Sequence, residues 1–419
     1  MEDCGKGIAK TAVLIAIGDE LLSGVRREGN CAWLAWLLHD AGWKVLRIEV
    51  VPDDLSPVVD TLERWMGKTD LLVFSGGLGP THDDKTRYAL AEYLKCGLSV
   101  DDALYDRVVA RFEGTSLKEV IEGSRSIQGL LPIEARGVYN PAGSALGIYF
   151  EKSGTRVWCF PGVPFEFKAM VGQELTPFLS QEKRELVRTW KSVAVIGIPE
   201  SLAVKRVPEI IADESLHISV LPSFALVEFV IRGEAPLVES AVRTMRERFT
   251  GSVLPEGCAS LPEAILATGR EKGLTLSCAE SCTGGLMGAA LTQLPGSSAV
   301  FAGSAVTYSD EAKKRVLAVE PALLDHYGAV SGECAENMAR GALEQYGTSL
   351  AVAVTGIAGP DGGTEKDPVG TVWFAEASRV GKEIESRSFG RRLEGDRDLV
   401  RERAVRIALT AAWLRMCEL

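Results

Sequence analysis

A serine, a lysine, a tyrosine and an arginine stand in three motifs in the last third of this chain. Ser281 follows an apolar run and precedes Gly284 and Gly285, after which an apolar helical pattern begins. A strand, a tight turn and a helix start in this order bring backbone N–H groups and a helix dipole together. This geometry suits an anionic ligand or a developing oxyanion. Ser281 is therefore a candidate nucleophile, although its hydroxyl could instead only cap the helix.

The candidate base is Lys313, in a helical pattern that starts near Ser309. Apolar residues such as Ala312 and Val316 form one face of this helix, and Lys313 projects within that face. An amine taken out of water is easier to deprotonate, and only a neutral amine can accept a proton from serine. The alternative is a lysine that runs along an interface towards water. Tyr308, at the strand-to-helix corner, either orients the lysine and relays its proton or is a packed aromatic.

Cys282 competes with the neighbouring serine because a thiolate is the stronger nucleophile. Cysteine catalysis usually needs a histidine, and His326, one of the chain's 4 histidines, is the one that lies in this part of the sequence. It stands at no motif position, so the sequence favours the serine.

Two further stretches suit phosphate or nucleotide binding. Arg397 offers a planar fork for phosphate or carboxylate, although an isolated arginine in a charged stretch is usually a surface residue. Residues 355–363 are Gly-rich and follow a predicted strand at 350–354, so their backbone amides can approach a phosphate or shape a pocket for an aromatic ring.

Five motifs in one order closely resemble the C-terminal domain of the CinA (competence/damage-inducible) family. They lie at 279–285, 306–313, 355–363, 366–372 and 395–397. The resemblance covers residues 257–419 and implies a nicotinamide mononucleotide amidohydrolase, an enzyme of NAD salvage that uses no cofactor. It implies Ser281, Lys313 and Tyr308 as catalytic residues. The implied substrate-binding residues are Thr283, Gly284, Gly285, Thr355, Gly356, Gly359 and Arg397.

The first part of the chain resembles molybdopterin-binding domains at residues 75–84, and its stretches 18–24, 140–147 and 161–166 match the CinA version of that fold. The resemblance implies hydrolysis of ADP-ribose with a divalent cation (Mg²⁺, Mn²⁺ or Co²⁺). Adjacent Asp83 and Asp84 behind a Gly-rich cradle can hold such a cation against a diphosphate, with Glu20 as a further ligand. Adjacent aspartates could instead form a solvated helix start. The implied diphosphate-binding residues are Gly76, Gly77, Gly79, Asn30 and Glu166.

Two residues depart from the family pattern in this region. Family members commonly have Thr where Asp19 stands and Asn where Glu28 stands. The additional carboxylates either strengthen metal binding or repel a diphosphate. A non-catalytic pterin- or nucleotide-binding module is therefore the alternative for this region.

Hydrophobic periodicity divides the chain into three predicted domains at 8–176, 177–252 and 257–419. Buried strand patterns alternate with helices in the first, which predicts a doubly wound α/β/α domain, and the resemblance implies α/β/α for the third. The middle segment reads βαββα, with a hairpin around Pro222-Ser223, and resembles a small KH-type module. It has no GXXG loop and carries balanced charge, which favours a spacer or dimerisation unit over an RNA reader.

The net charge of −11 argues against general nucleic-acid binding and therefore against the alternative of a nucleic-acid-associated competence factor. The 9 cysteines form no CxxC pair, so structural zinc is not expected. The apolar run at 12–17 is too short for a signal-peptide core, and no stretch reaches the roughly 20 apolar residues of a membrane span. We expect a cytoplasmic homodimer that binds small nucleotides and no membrane.

Overall fold

The computed structural model describes residues 10–181, 188–381 and 383–419. The chain forms two compact units, Met1–Leu186 and Val187–Leu419. Within the described ranges, no helix is both long and apolar enough to cross a membrane.

The first unit is a doubly wound α/β fold. Its strands are β1 (Thr11–Ile17), β2 (Lys44–Val51), β3 (Leu71–Ser75), β4 (Leu98–Val100), β5 (Leu130–Pro132), β6 (Arg136–Val138), β7 (Gly147–Lys152) and β8 (Thr155–Phe160). Its helices are α1 (Asp19–Leu22), α2 (Asn30–Asp40), α3 (Leu55–Trp65), α4 (Thr86–Leu94), α5 (Asp102–Ala110), α6 (Lys118–Gly123), α7 (Arg125–Gln128), α8 (Pro164–Met170) and α9 (Thr176–Gln181), with a π-helical turn at Val171–Leu175.

The main sheet of this unit has the order β2-β1-β3-β8-β7-β6, and β4 pairs with β5 separately. Strands β2, β1, β3 and β8 are parallel, whereas β7 and β6 are antiparallel. Leu14 of β1 packs in one core with Leu34 of α2, and Ile15 packs in the opposite core with Leu62 of α3. Because both of their faces are covered, the central strands β1 and β3 are continuous apolar runs, as the sequence predicts, whereas the edge strand β2 is largely exposed.

The second unit begins with a small antiparallel sheet of order β10-β11-β9. Its elements are β9 (Arg188–Ile196), α10 (Glu200–Arg206), α11 (Pro208–Ile211), β10 (His217–Ser223), β11 (Leu226–Glu234) and α12 (Ala235–Arg248). The predicted order βαββα is present, with the first helix interrupted before Pro208. The hairpin turn lies at Phe224-Ala225 rather than at Pro222-Ser223, because β10 continues through Ser223, which pairs with Leu226.

The rest of the second unit is a five-stranded sheet covered by helices on both faces. Its elements are α13 (Leu261–Lys272), β12 (Leu276–Glu280), α14 (Leu286–Thr292), β13 (Phe301–Val306), α15 (Asp310–Leu317), α16 (Pro321–Tyr327), α17 (Gly332–Tyr346), β14 (Leu350–Gly356), β15 (Thr371–Val380), β16 (Glu383–Arg392) and α18 (Arg397–Glu418), with a 3₁₀ turn at Ser297–Ala299. The strand order is β13-β12-β14-β15-β16, with β12 parallel to both neighbours and β15 and β16 antiparallel.

This topology brings distant motifs to one edge of the sheet. The carboxyl ends of the parallel strands β12, β13 and β14 share an edge, and Ser281, Thr307 and Ile357 follow these three strands. The last residue of β16 pairs with the first residue of β15. The start of β15 in turn pairs with the end of β14, so the end of β16 lies at the same edge of the sheet. The start of α18 therefore reaches the same edge.

Candidate active site

Ser281 lies directly after β12, a strand whose five residues are all buried. Its backbone N–H donates to the Val354 carbonyl of β14 at 2.9 Å. The chain then turns sharply through Gly284 and Gly285, at φ +61° and +98°, and α14 begins at Leu286. The predicted strand, turn and helix are therefore present, and they hold the serine at the edge where the other motifs meet.

Lys313 is fully buried, with 1% of its surface exposed, and shares the inner side of its helix with Leu317, whereas Val316 of the predicted apolar face is exposed. Its Nζ lies 3.2 Å from Ser281 Oγ and donates to the Thr307 carbonyl at 3.0 Å. The Ser309 side chain caps α15 by accepting from the Ala312 N–H. The cap sets the start of the helix, so the lysine, one turn later, points inwards at the serine.

Tyr308 and Arg397 form a second contact at the rim. Tyr308 is 62% exposed, and its hydroxyl accepts from Arg397 Nη2 at 2.9 Å. Arg397 Nη1 donates to the Gly359 carbonyl at 2.7 Å. Within the described residues, the tyrosine makes no hydrogen bond to Lys313, whose Nζ donates to the Thr307 carbonyl instead. The expectation that Tyr308 orients the lysine is not met by direct contact.

A cavity of about 280 Å³ joins these groups. Its lining includes seven residues singled out from the sequence, namely Ser281, Tyr308, Lys313, Thr355, Gly356, Gly359 and Arg397. Asp310 and Asp361 also line it and were not anticipated. Asp310 Oδ1 lies 3.9 Å from Lys313 Nζ. An acidic residue three positions before a lysine on a helix would have indicated this proximity.

The helix start after the serine is not a free anion site, contrary to the sequence-based expectation. The Glu280 carboxylate accepts the backbone N–H groups of Gly285, Met287 and Gly288 at 2.9, 3.0 and 2.9 Å. The Gly284 N–H donates to the Ser281 carbonyl. The chain's own buried carboxylate therefore takes these three N–H groups, and an anion cannot bind at the helix start itself.

Two other predicted substrate contacts do not offer a hydroxyl to a ligand. Thr283 is fully buried, does not line the cavity, and its Oγ1 has no hydrogen-bond partner among the described residues. Thr355 lines the cavity, but its Oγ1 donates to the Ala329 carbonyl at 2.7 Å, which ties β14 to the segment before α17.

Cys282 is a poor alternative nucleophile. The side chain is 5% exposed, and burial raises the pKa of its thiol to about 11. At neutral pH the thiolate is therefore scarce. His326 is exposed and does not line the cavity, so it cannot act as its base.

In the first unit, the Gly-rich turn after β3 is stabilised by hydrogen bonds from its own backbone to its own side chains. Gly76 has φ +119°, and a Cβ there would lie 2.4 Å from the Ile17 carbonyl oxygen, so glycine is required. Asp84 accepts the N–H groups of Gly79 at 2.7 Å and Thr81 at 2.9 Å. The glycines therefore form a tight turn, but two N–H groups of the loop bind the Asp84 carboxylate instead of a ligand.

The predicted metal ligands do not form a metal site in this structure. Asp83 is 59% exposed and lies beside His82, and Asp84 is held within the loop. Among the described residues, no group of three or more His, Cys, Asp or Glu side chains is arranged to hold an ion. The residues as placed thus do not fit the divalent cation that the resemblance implies.

Asp53, which was not predicted from the sequence, lies in the loop after β2 and contacts the start of α1. Asp53 accepts the Asp19 N–H at 3.0 Å. Burial raises the pKa of the Asp53 carboxyl, and the nearby charges of Glu20, Asp19 and Asp84 raise it further. Negative charge therefore accumulates around Asp53, with Lys85 paired to the neighbouring Asp54.

The predicted diphosphate contacts Asn30 and Glu166 are structural in this geometry. Asn30 Nδ2 donates to Ser75 Oγ and to the Gly162 carbonyl at 2.9 and 2.8 Å. Glu166 accepts from Asn140 Nδ2 at 2.6 Å. Asn30 thus joins the turn after β3 to the turn after β8.

Glu28 caps the helix that carries this asparagine. Its carboxylate accepts the N–H groups of Cys31 and Ala32 at the start of α2, at 2.7 and 3.1 Å. This departure from the family pattern is therefore a helix cap in the structure.

Sequence reasoning missed Arg87, which is 1% exposed and donates to the carbonyls of Leu78 and Gly79. It fixes the Gly-rich turn from beneath. Nothing in its sequence context distinguishes it from a surface arginine.

Comparison with known proteins gives matches along most of the chain. The family description "CinA C-terminal domain" matches residues 258–416, and "Probable molybdopterin binding domain" matches residues 13–181. A CinA-like protein of Geotalea uraniireducens is 37% identical over 413 residues, covering 96% of each chain. A CinA-like protein of Citrifermentans bemidjiense is 36% identical over 408 residues, again 96% of each. A crystal structure of a CinA superfamily protein of Klebsiella pneumoniae is 38% identical over 38% of this chain and 97% of its own, with a TM-score of 0.36.

Proposed function

Because the chain belongs to the CinA family, we propose that its second unit hydrolyses the carboxamide of nicotinamide mononucleotide, releasing nicotinic acid mononucleotide and ammonia. The observation that carries this proposal is the buried Lys313 Nζ 3.2 Å from Ser281 Oγ. A buried amine beside a serine hydroxyl is the pairing that nucleophilic catalysis needs. The reaction belongs to pyridine-nucleotide salvage, which we place in the cytoplasm.

In the proposed mechanism, Ser281 Oγ attacks the carboxamide carbon while neutral Lys313 takes the hydroxyl proton. The C–N bond then breaks, and the lysine ammonium delivers the proton to the leaving ammonia. Water attacks the resulting ester, with Lys313 again accepting a proton, and frees the serine and the carboxylic acid. One base therefore serves both half-reactions.

The negative charge that develops on the carbonyl oxygen needs hydrogen-bond donors. The turn from the Gly284 N–H to the Ser281 carbonyl fixes the peptide between Ser281 and Cys282. In a trans peptide the N–H points opposite to the C=O. Among the described residues, the Cys282 N–H donates to no backbone carbonyl, and Cys282 lines the cavity. We assign this amide to the oxyanion.

Arg397 is proposed to bind the substrate phosphate. Two of its N–H groups are held by Tyr308 and the Gly359 carbonyl, which orients the guanidinium and leaves further donors for an anion. Tyr308 would then position Arg397, which binds the phosphate, rather than Lys313, which acts as the base.

The test is mass spectrometry of the products after incubation with nicotinamide mononucleotide, with and without a chelator. We expect Ser281→Ala and Lys313→Ala each to lower kcat by several orders of magnitude, because members of one catalytic unit fail together. Wild-type turnover should persist in chelator. Loss of activity on chelation that a divalent ion restores would contradict the proposed serine–lysine mechanism.

A second proposed activity is metal-dependent hydrolysis of ADP-ribose by the first unit, which the resemblance of this unit to the CinA version of the molybdopterin-binding fold implies. In the part of the chain that the structure describes, the carboxylates as placed do not form a cation site, so the proposal rests on that resemblance. Release of AMP from ADP-ribose that depends on added Mg²⁺, Mn²⁺ or Co²⁺ would support this activity. Its absence with every cation would leave a binding module for a nucleotide or pterin.

We also propose a homodimer, because the edge strand β2 exposes apolar side chains. Leu46, Ile48 and Val50 of β2 are 37%, 46% and 36% exposed, and an exposed apolar edge strand favours pairing with another chain. Sedimentation equilibrium should show a dimer that Ile48→Lys dissociates. A monomeric wild-type protein would refute this proposal.

A further inference from the structure

The residue immediately before the nucleophile is a fully buried carboxylate. Glu280, the last residue of β12, is 0% exposed. Oε2 accepts the N–H groups of Gly285 and Met287, and Oε1 accepts the Gly288 N–H and the Ser304 hydroxyl, the last at 2.7 Å. A carboxylate with four donors is well satisfied, and its position is fixed by the chain on both sides of the turn.

The same turn is held from outside by an arginine of α18. Arg401 Nε lies 3.2 Å from the Cys282 carbonyl oxygen, and Nη2 lies 3.2 Å from that of Thr283. The carboxylate therefore holds N–H groups at the end of the turn, and the guanidinium holds the carbonyls in its middle. Ser281 is the residue at its start.

A second buried glutamate in this sheet shows a different arrangement. Glu376 of β15 is 4% exposed and is paired with the guanidinium groups of Arg387 and Arg415. It does not line the cavity. Charge pairing with arginine thus stabilises one buried glutamate, whereas Glu280 is bound by the turn that carries the nucleophile.

We propose that Glu280 is a positioning residue for Ser281, with Arg401 as its partner on the opposite side of the turn. The inference rests on the proposed function, in which Ser281 attacks and Lys313 takes its proton. A turn pulled from both sides leaves the serine little freedom to move away from Lys313. Because a shift of the order of 1 Å in a reacting group costs about 100-fold in rate, this restraint acts on kcat.

Glu280→Gln is the direct test. One oxygen becomes an NH₂ group that faces backbone N–H donors, so at least one contact to the turn is lost. We expect kcat for nicotinamide mononucleotide to fall about 100-fold while KM stays within about twofold. Arg401→Lys, which cannot hold two carbonyls in the same way, should give a smaller fall in the same direction.

Glu376→Gln is the matched control. It makes the same substitution at a buried glutamate of this sheet that does not line the cavity, so kcat should stay unchanged. If Glu280→Gln fails to fold, Ser304→Ala removes a single hydrogen bond from the same carboxylate and should still lower kcat measurably.

Labelling of Ser281 by a fluorophosphonate provides a second readout that does not depend on the substrate. We expect wild-type labelling to be fast and labelling of Glu280→Gln to slow in parallel with kcat. If Glu280→Gln and Ser304→Ala both turn over the substrate, or are both labelled, at the wild-type rate, this inference is wrong and the proposed function is unaffected. A wild-type protein that neither turns over the substrate nor reacts with the probe would overturn the proposed function and this inference with it.

Discussion

At the scale of single residues, Ser281 and Cys282 are adjacent, and burial separates their chemistry. The Cys282 thiol has a pKa raised to about 11 by burial, whereas Ser281 faces the buried amine. We expect Cys282→Ala to keep most of the amidase activity, and iodoacetamide to modify this cysteine slowly at neutral pH. Labelling is read by peptide mass spectrometry. An inactive Cys282→Ala beside an active Ser281→Ala would reverse the assignment.

Asp53 provides a pH-dependent prediction. Its carboxyl pKa is raised by burial and by Glu20, Asp19 and Asp84, so the folded state holds the proton more tightly than the unfolded chain. Ionisation of Asp53 therefore lowers the free energy of unfolding as the pH rises above about 4, the ordinary carboxylate range. Asp53→Asn should raise the melting temperature at pH 7 to 8, with a gain that disappears in acid.

Magnesium gives the control for that experiment. If the carboxylates around Asp53 attract a cation, millimolar MgCl₂ should stabilise the wild-type protein more than Asp53→Asn. A gain from Asp53→Asn that is equally large at pH 3 would show that charge is not its cause.

At the scale of elements, the turn after β3 gives its two adjacent aspartates different environments. Asp84 accepts three hydrogen bonds from Gly79 and Thr81, whereas Asp83 is mostly exposed. Asp84→Asn should lower the free energy of unfolding by about 1–3 kcal/mol, because a donor would replace an acceptor. Asp83→Asn should change it by less than about 0.5 kcal/mol.

Urea unfolding of the full chain measures both variants. If Asp83 and Asp84 instead bind a metal together, both variants should lose ADP-ribose hydrolysis while their free energies of unfolding stay similar. Equal stabilities without any change in activity would mean that the Asp84 contacts contribute little.

At the scale of the whole molecule, the small antiparallel sheet and the five-stranded sheet share a core. Ala194, Ile196 and Leu254 are buried in one cluster with Leu261 and Leu276. A fragment that begins at 257 lacks the first three residues and leaves part of this cluster exposed. We therefore expect fragment 257–419 to melt at a lower temperature than fragment 188–419.

Both fragments should deamidate nicotinamide mononucleotide without added metal, because the cavity lies within residues 281–397. Calorimetry and product analysis on the two fragments check this. Equal melting temperatures would show that the shared core does not stabilise the amidase portion.

The sequence by itself determined the buried parallel strand β1 and most of the chemical groups of the cavity, although not Asp310 and Asp361. The apolar run at 12–17 lies within β1 and ends with it, because a strand buried on both faces has no polar position in its middle. Ser281, Lys313 and Arg397 follow from motifs, since chemistry restricts which residue types can serve.

Only the tertiary structure decided how the donors and charges are used. Glu280 occupies the helix start that the sequence offered to a ligand, Tyr308 bonds Arg397 instead of Lys313, and Asp84 turns into its own loop. A local sequence shows which groups can form hydrogen bonds. Tyr308 and Arg397 are distant in sequence and meet because the sheet order brings their strand ends together. Glu280 and Asp84 bind donors only a few residues away, and there the turn geometry and the need of a buried polar group for a partner decide the contact.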